Sequence, residues 1–167
     1  FFTATDEEHG LELWRSDGTE VGTQILKNFY PMQLERDLLT LVIMEDSFYF
    51  IANDGIHGEE LWRSDGTPAG TVMVADIFAG SGSSLPRDLT AVGNSLYFTA
   101  NDGTHGFELW RSDGTAAGTY MVKDINPGTT SGNTPLDGIV GSSTLMFRDT
   151  LFFLGSKARL YVSDGTN

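Results

Sequence analysis

The sequence predicts an all-β array of four-stranded antiparallel blades, arranged like a β-propeller, with about three to four blades or a share of a larger propeller. Three observations predict it. The octet Glu-Leu-Trp-Arg-Ser-Asp-Gly-Thr recurs at Glu12–Thr19, Glu60–Thr67 and Glu108–Thr115, 48 residues apart each time. Each unit carries four short strand-like runs separated by turns rich in Gly, Asn and Asp. Strong helix signals are missing.

The third copy shows the elements in order. Leu89–Val92 reads as a first strand, and Gly93-Asn94 as a tight turn. Ser95–Ala100 follows, with Leu96 and Phe98 alternating against Tyr97 and Thr99. Asn101-Asp102-Gly103 is a hairpin turn, because Asn and Gly tolerate positive φ. Phe107–Ser112 is the third strand, Asp113-Gly114-Thr115 turns the chain, and Thr119–Asp124 is the fourth. Bulk on both faces of Leu109-Trp110-Arg111 fits a sheet sandwiched between neighbours. A β-solenoid is the alternative, but this period is long for one coil.

The chain reads as one repeat domain, 1–167, with units of roughly 1–40, 41–88, 89–136 and 137–167, the first and last partial. A degraded fourth copy reads Leu160-Tyr161-Val162-Ser163-Asp164-Gly165-Thr166, with Tyr161 in place of the tryptophan. Copies vary most after the Gly-Thr pair, and Asn126–Ser143 forms the longest such stretch. Variable length at one place marks a loop on one face of an array. Both ends fall within a repeat, so the chain is expected to be a piece of a longer protein.

Composition narrows the function classes. The net charge is −13, which argues against nucleic acid as a partner, since that needs a basic footprint. There are no cysteines, hence no disulfides or thiolate metal sites. No long apolar span suggests a membrane segment.

The octet followed by Ala-Ala-Gly-Thr resembles the ELWxxDGT repeat family. The resemblance covers nearly the whole chain and departs from the pattern at Tyr161. It implies a propeller-type fold and a bacterial protein that is secreted or on the cell surface. It implies no defined activity. The Asp-Gly-Thr turn is also similar to the Asp-box of sialidase propellers, a structural turn.

Each repeated polar residue has a functional and a structural reading. Asp17, Asp65, Asp113 and Asp164 could place carboxylates around Ca²⁺, or could accept backbone N–H bonds and fix the turn. Asp54 and Asp102, three residues before His57 and His105, are further Ca²⁺ candidates; Asp6 and His9 match them in copy one. One histidine per unit falls short of a zinc site. Each histidine is expected instead to bond a backbone carbonyl and tie its hairpin to the next blade. Trp14, Trp62 and Trp110 could stack on sugars, but mid-strand they are expected to pack between blades. Glu12, Glu60 and Glu108 share a strand face with the tryptophans, and Arg15, Arg63 and Arg111 lie on the other. A Glu of one blade is therefore expected to pair with an Arg of the next. Arg36-Asp37, Arg87-Asp88 and Arg148-Asp149 read as solvated pairs where strands begin.

No lone nucleophile stands beside a unique base, so no catalytic residue is assigned. The favoured function is a non-enzymatic extracellular scaffold, such as a surface fibre or adhesin, that assembles with further blades or with copies of itself. A glycan- or ligand-binding propeller is the alternative, using exposed aromatics such as Phe29 and Tyr30. A fragment of a secreted hydrolase is the third.

Overall fold

The computed structural model of the chain describes residues 1–29, 41–125, 145–147, 150–155 and 159–163, the last three stretches by backbone. The described residues form strands and turns, with no helix among them. The strands are β1 (Phe2–Asp6), β2 (Gly10–Arg15), β3 (Gln24–Lys27), β4 (Val42–Met44), β5 (Ser47–Asn53), β6 (Glu59–Ser64) and β7 (Val72–Ala75). They continue as β8 (Arg87–Val92), β9 (Ser95–Asn101), β10 (Phe107–Ser112), β11 (Tyr120–Lys123), β12 (Leu145–Phe147), β13 (Thr150–Gly155) and β14 (Arg159–Ser163). The four strands of the third copy start and stop within two residues of their expected positions.

These strands make separate antiparallel sheets in which every strand pairs with its neighbour in the chain. The first sheet is β1-β2-β3, the second β4 to β7, the third β8 to β11 and the fourth β12-β13-β14. One register holds throughout. The octet tryptophan faces a phenylalanine on the preceding strand, as Phe2 with Trp14, Phe50 with Trp62 and Phe98 with Trp110. Tyr161 keeps that place in the fourth sheet, opposite Phe153.

The second sheet is buried on both faces, which is why β5 is hydrophobic at consecutive positions. Phe48, Phe50, Ala52 and Trp62 pack with Leu13, Leu26 and Phe29 of the first sheet and its outgoing loop. Tyr49, Ile51, Leu61 and Val74 face the other way, onto Leu96, Phe98 and Ala100 of the third sheet. Successive strand residues point to opposite faces, so one strand serves two interfaces.

A bulge recurs in each of the first three sheets. Leu13 pairs with Lys27 and Trp14 with Ile25, leaving Leu26 extra. Val74 is extra between Leu61 and Trp62, and Val122 between Leu109 and Trp110. An extra residue re-aims side chains. Leu26, Val74 and Val122 are all buried, each beside the octet leucine of its own sheet.

Candidate functional site

The octet glutamates are completely buried. Both carboxylate oxygens of Glu12 accept from the Phe29 amide, at 3.0 and 3.1 Å. Glu60 accepts from the amides of Ile77, Phe78 and Ser84 and from the Ser84 hydroxyl, the last at 2.6 Å. Glu108 accepts from the Ile125 amide at 3.1 Å. Burial raises the carboxyls of Glu12 and Glu60 above their ordinary range, and the bonds they accept work against that rise.

These partners correct the expected Glu–Arg pairing between blades. A strand's last residues leave amides with no ladder partner, and a buried amide must be bonded somewhere. The carboxylate supplies the acceptor, and in doing so fixes the residue that plugs into the next sheet. Phe29 is the clearest case. Its ring meets Trp62 edge-on at 5.1 Å and Phe50 at 5.8 Å. Phe29 is only 2% exposed, which removes it as an open aromatic for glycan contact. Tyr30 lies outside the described residues.

The arginines diverge from one another. Arg15 Nη1 donates to the Gly66 carbonyl at 3.0 Å and so reaches the second sheet. Arg63 lies against the Tyr49 phenol. Arg111 stays in its own sheet, donating to Ser95 Oγ at 2.8 and 3.0 Å and to the Tyr120 hydroxyl at 2.7 Å. The strand partner decides this, because Arg15, Arg63 and Arg111 sit opposite Gln24, Val72 and Tyr120.

Trp62 and Trp110 pack where the sheets meet, whereas Trp14 is half-buried beside the exposed Phe2 of its own sheet. Trp62 is 3% exposed, with Lys27 Nζ 4.6 Å from its ring centroid. The same lysine donates to the Thr71 carbonyl of the second sheet at 3.3 Å. Trp14 Nε1 donates to the Ala4 carbonyl and Trp110 Nε1 to the Ala100 carbonyl, at 3.2 and 3.1 Å. Trp62 Nε1 is buried with no such partner.

The Asp-Gly-Thr turn is a closed network repeated three times. Asp65 Oδ1 accepts from the Thr67 amide at 2.9 Å and the Thr67 hydroxyl at 2.7 Å. Thr67 Oγ1 accepts from Gly70 N, and Thr71 Oγ1 donates to the Thr67 carbonyl. Ser64 Oγ accepts from Gly66 N and lies 2.7 Å from Thr71 Oγ1. The same contacts recur around Asp17 and Asp113. The Thr hydroxyl and amide hold the carboxyls of Asp17, Asp65 and Asp113 below the ordinary range. Asp164 lies outside the described residues.

Gly22, Gly70 and Gly118 complete the turn, since a Cβ at any of them would strike the preceding aspartate's carboxylate. Their 48-residue spacing was visible in the sequence, but the reason for glycine was not. The Ser–Thr pair likewise repeats in the first three copies, and that periodicity was the signal for it. Ser84 escaped the sequence reading because it falls in the stretch where the copies vary most.

The hairpin histidines also correct their expectation. His57 Nδ1 lies 2.8 Å from Asp54 Oδ2, and Asp54 Oδ1 accepts from the amides of Ile56 and His57. His9 with Asp6, and His105 with Asp102, repeat this at 2.9 and 2.6 Å. Each histidine therefore bonds a carboxylate of its own turn, not a carbonyl of the next blade. The side-chain bond to aspartate raises all three histidines above their ordinary value. Asp6 is held low, first by the His9 amide. Burial pushes Asp54 and Asp102 up, but their bonds from the following amides and histidines outweigh it and leave both lowered.

Among the described residues, no three His, Asp or Glu side chains come together as a metal-binding group. Asp17, Asp54, Asp65, Asp102 and Asp113, the Ca²⁺ candidates, each spend Oδ1 on two donors of the turn. The solvated reading of Arg87-Asp88 is also corrected. Arg87 lies 5.0 Å over the Phe107 ring, and burial raises the Asp88 carboxyl. Arg36-Asp37 and Arg148-Asp149 fall outside the described residues, as does the 126–143 stretch. No described helix is long and apolar enough to cross a membrane. Comparison with family models, curated proteins and solved structures finds no match to this chain.

Proposed function

We propose that the chain is a non-enzymatic structural and interaction module whose sheets fan out as propeller blades and whose role is assembly outside the cell. One observation carries the reading: among the described residues, the Glu, Asp and His that repeat through the first three units are bonded within the fold. Glu12, Glu60 and Glu108 hold loop amides, Asp17, Asp65 and Asp113 hold their turns, and each histidine is held by its aspartate. A motif spent on architecture leaves its chemistry unavailable to substrate. The fan arrangement is supported by the approach of β4 to β8, the first strands of adjacent four-stranded sheets. Resemblance to the ELWxxDGT repeats supports the extracellular setting.

The test is the assembly state of the purified chain, by light scattering and negative-stain electron microscopy. Rings or ladders with one constant spacing are expected. Separate, non-associating particles, or turnover of a glycoside or ester by the chain alone, would overturn the reading.

A further inference from the structure

Among the steps that follow an aspartate, Asp-Gly is the one most open to spontaneous isomerisation. The glycine nitrogen attacks Cγ of the aspartate, a C–N bond forms and water leaves, giving a five-membered succinimide. Water then adds back to either carbonyl and yields aspartate or isoaspartate. Isoaspartate carries an extra methylene in the backbone. Glycine is the fastest successor because no side chain hinders the approach.

This chain contains seven Asp-Gly steps, at Asp17, Asp54, Asp65, Asp102, Asp113, Asp137 and Asp164. The first five lie among the described residues, and all five share one geometry. The glycine N–H is tied to a side-chain oxygen of the residue before the aspartate. Ser16, Ser64 and Ser112 accept it at 3.0 Å, and Asn53 and Asn101 at 2.7 Å. The aspartate Oδ1 is turned the opposite way, accepting from the amide two residues on at 2.8–2.9 Å. Two unrelated turns, one Ser-Asp-Gly and one Asn-Asp-Gly, thus arrive at the same arrangement.

We propose that this arrangement protects the repeat's Asp-Gly steps from isoaspartate formation, with the Ser or Asn before each aspartate as the protecting residue. The nucleophilic nitrogen is held backward while the carboxylate is held forward. Attack requires both to let go. The lowered carboxyls of Asp17, Asp65 and Asp113 add to this, because an ionised carboxylate is a poor electrophile. The proposal holds whether or not the sheets close into a ring.

The experiment ages the folded chain and the chain in concentrated urea side by side, at neutral pH and body temperature. Isoaspartate is then read at each step by peptide mass spectrometry with electron-based fragmentation. Folded protein is expected to lag behind unfolded by about tenfold or more at all five steps. Ser16→Ala, at an exposed turn, is expected to speed Asp17 by about fivefold, the worth of one hydrogen bond. Asp65 and Asp113 in the same molecules should keep the wild-type rate. Equal ageing of folded and unfolded chain overturns the proposal. So does a Ser16→Ala protein with Asp17 unchanged, or with all five steps accelerated together.

Discussion

Tyr49 of the second sheet lies over Gly114 in the third sheet's Asp-Gly-Thr turn, so closely that a Cβ on Gly114 would strike the phenolic oxygen. Phe1 stands in the same relation to Gly66, with its Cζ 2.9 Å from where a Cβ would sit. The turn glycine therefore has two jobs, a positive φ and a close approach between sheets. Gly18 separates them, because its φ is +92° but nothing lies within 4 Å of its Cβ position. Gly18→Ala is expected to cost about 1–2 kcal/mol, the left-handed backbone penalty alone. Gly114→Ala is expected to cost about 3 kcal/mol or more, since overpacking adds to it. Tyr49→Phe in the Gly114→Ala background should recover part of the difference. Urea unfolding of the four proteins checks this, and equal losses at Gly18 and Gly114 would show that the sheet contact carries no weight.

Glu60 is the next point of leverage. Its buried carboxylate accepts from three amides and one hydroxyl as the chain crosses from the second sheet to the third. Glu60→Ala strands those donors and opens a void, so a loss of about 3–5 kcal/mol is expected. Glu60→Gln keeps the shape but aims an NH₂ at donors, so it should fall between wild type and Glu60→Ala. Denaturation midpoints report the order, and a Glu60→Ala protein as stable as wild type would contradict the anchoring role.

Asp17, Asp54, Asp65, Asp102 and Asp113, the described aspartates considered for Ca²⁺, already spend Oδ1 on the backbone of their own turns. A ligand that binds only the folded state raises its stability, and removing that ligand lowers it. The melting temperature is therefore expected to be the same with chelator as with added calcium. A fall of several degrees on chelation would restore the cation reading.

How much of this was legible in the sequence depended on the distance between partners. The Asp65–Thr67 turn and the Asp54–His57 pair span two and three residues, so both residues of each fall inside one visible motif. The strand limits were legible because the period repeats the same alternation. The work of Glu12 was not, because its partner is a backbone amide 17 residues away. An amide leaves no mark in residue type, and the residues that own it are Phe29, Ile77 and Ile125 in successive copies. Phe29 misled for the same reason, since an aromatic in a variable loop looks open until the next sheet is placed against it. The arginines misled because their roles follow the unrepeated residues opposite them, Gln24, Val72 and Tyr120.

The pH dependence of stability can be given a direction. His9, His57 and His105 have their pKa raised above the model-peptide value of 6.5 by the bond to aspartate. Folding then favours the protonated ring, so this contribution is complete below 6.5 and is lost as pH rises through the folded value. Glu12 and Glu60, raised above 4.5 by burial, also favour the folded state more as they take up protons. Asp6, Asp17, Asp54, Asp65, Asp102 and Asp113 oppose this only at the acid end. Their pKa values lie below 3.8 in the folded chain, so their contribution is lost as pH falls through those lowered values. Melting temperature is therefore expected to climb from mildly alkaline to mildly acidic pH and to drop only below about 3.8. Replacing all three histidines by Gln should flatten the climb above 6.5 while leaving the acid limb in place. A wild-type profile that rises with pH across neutrality would show that the histidine–aspartate pairs do not set it.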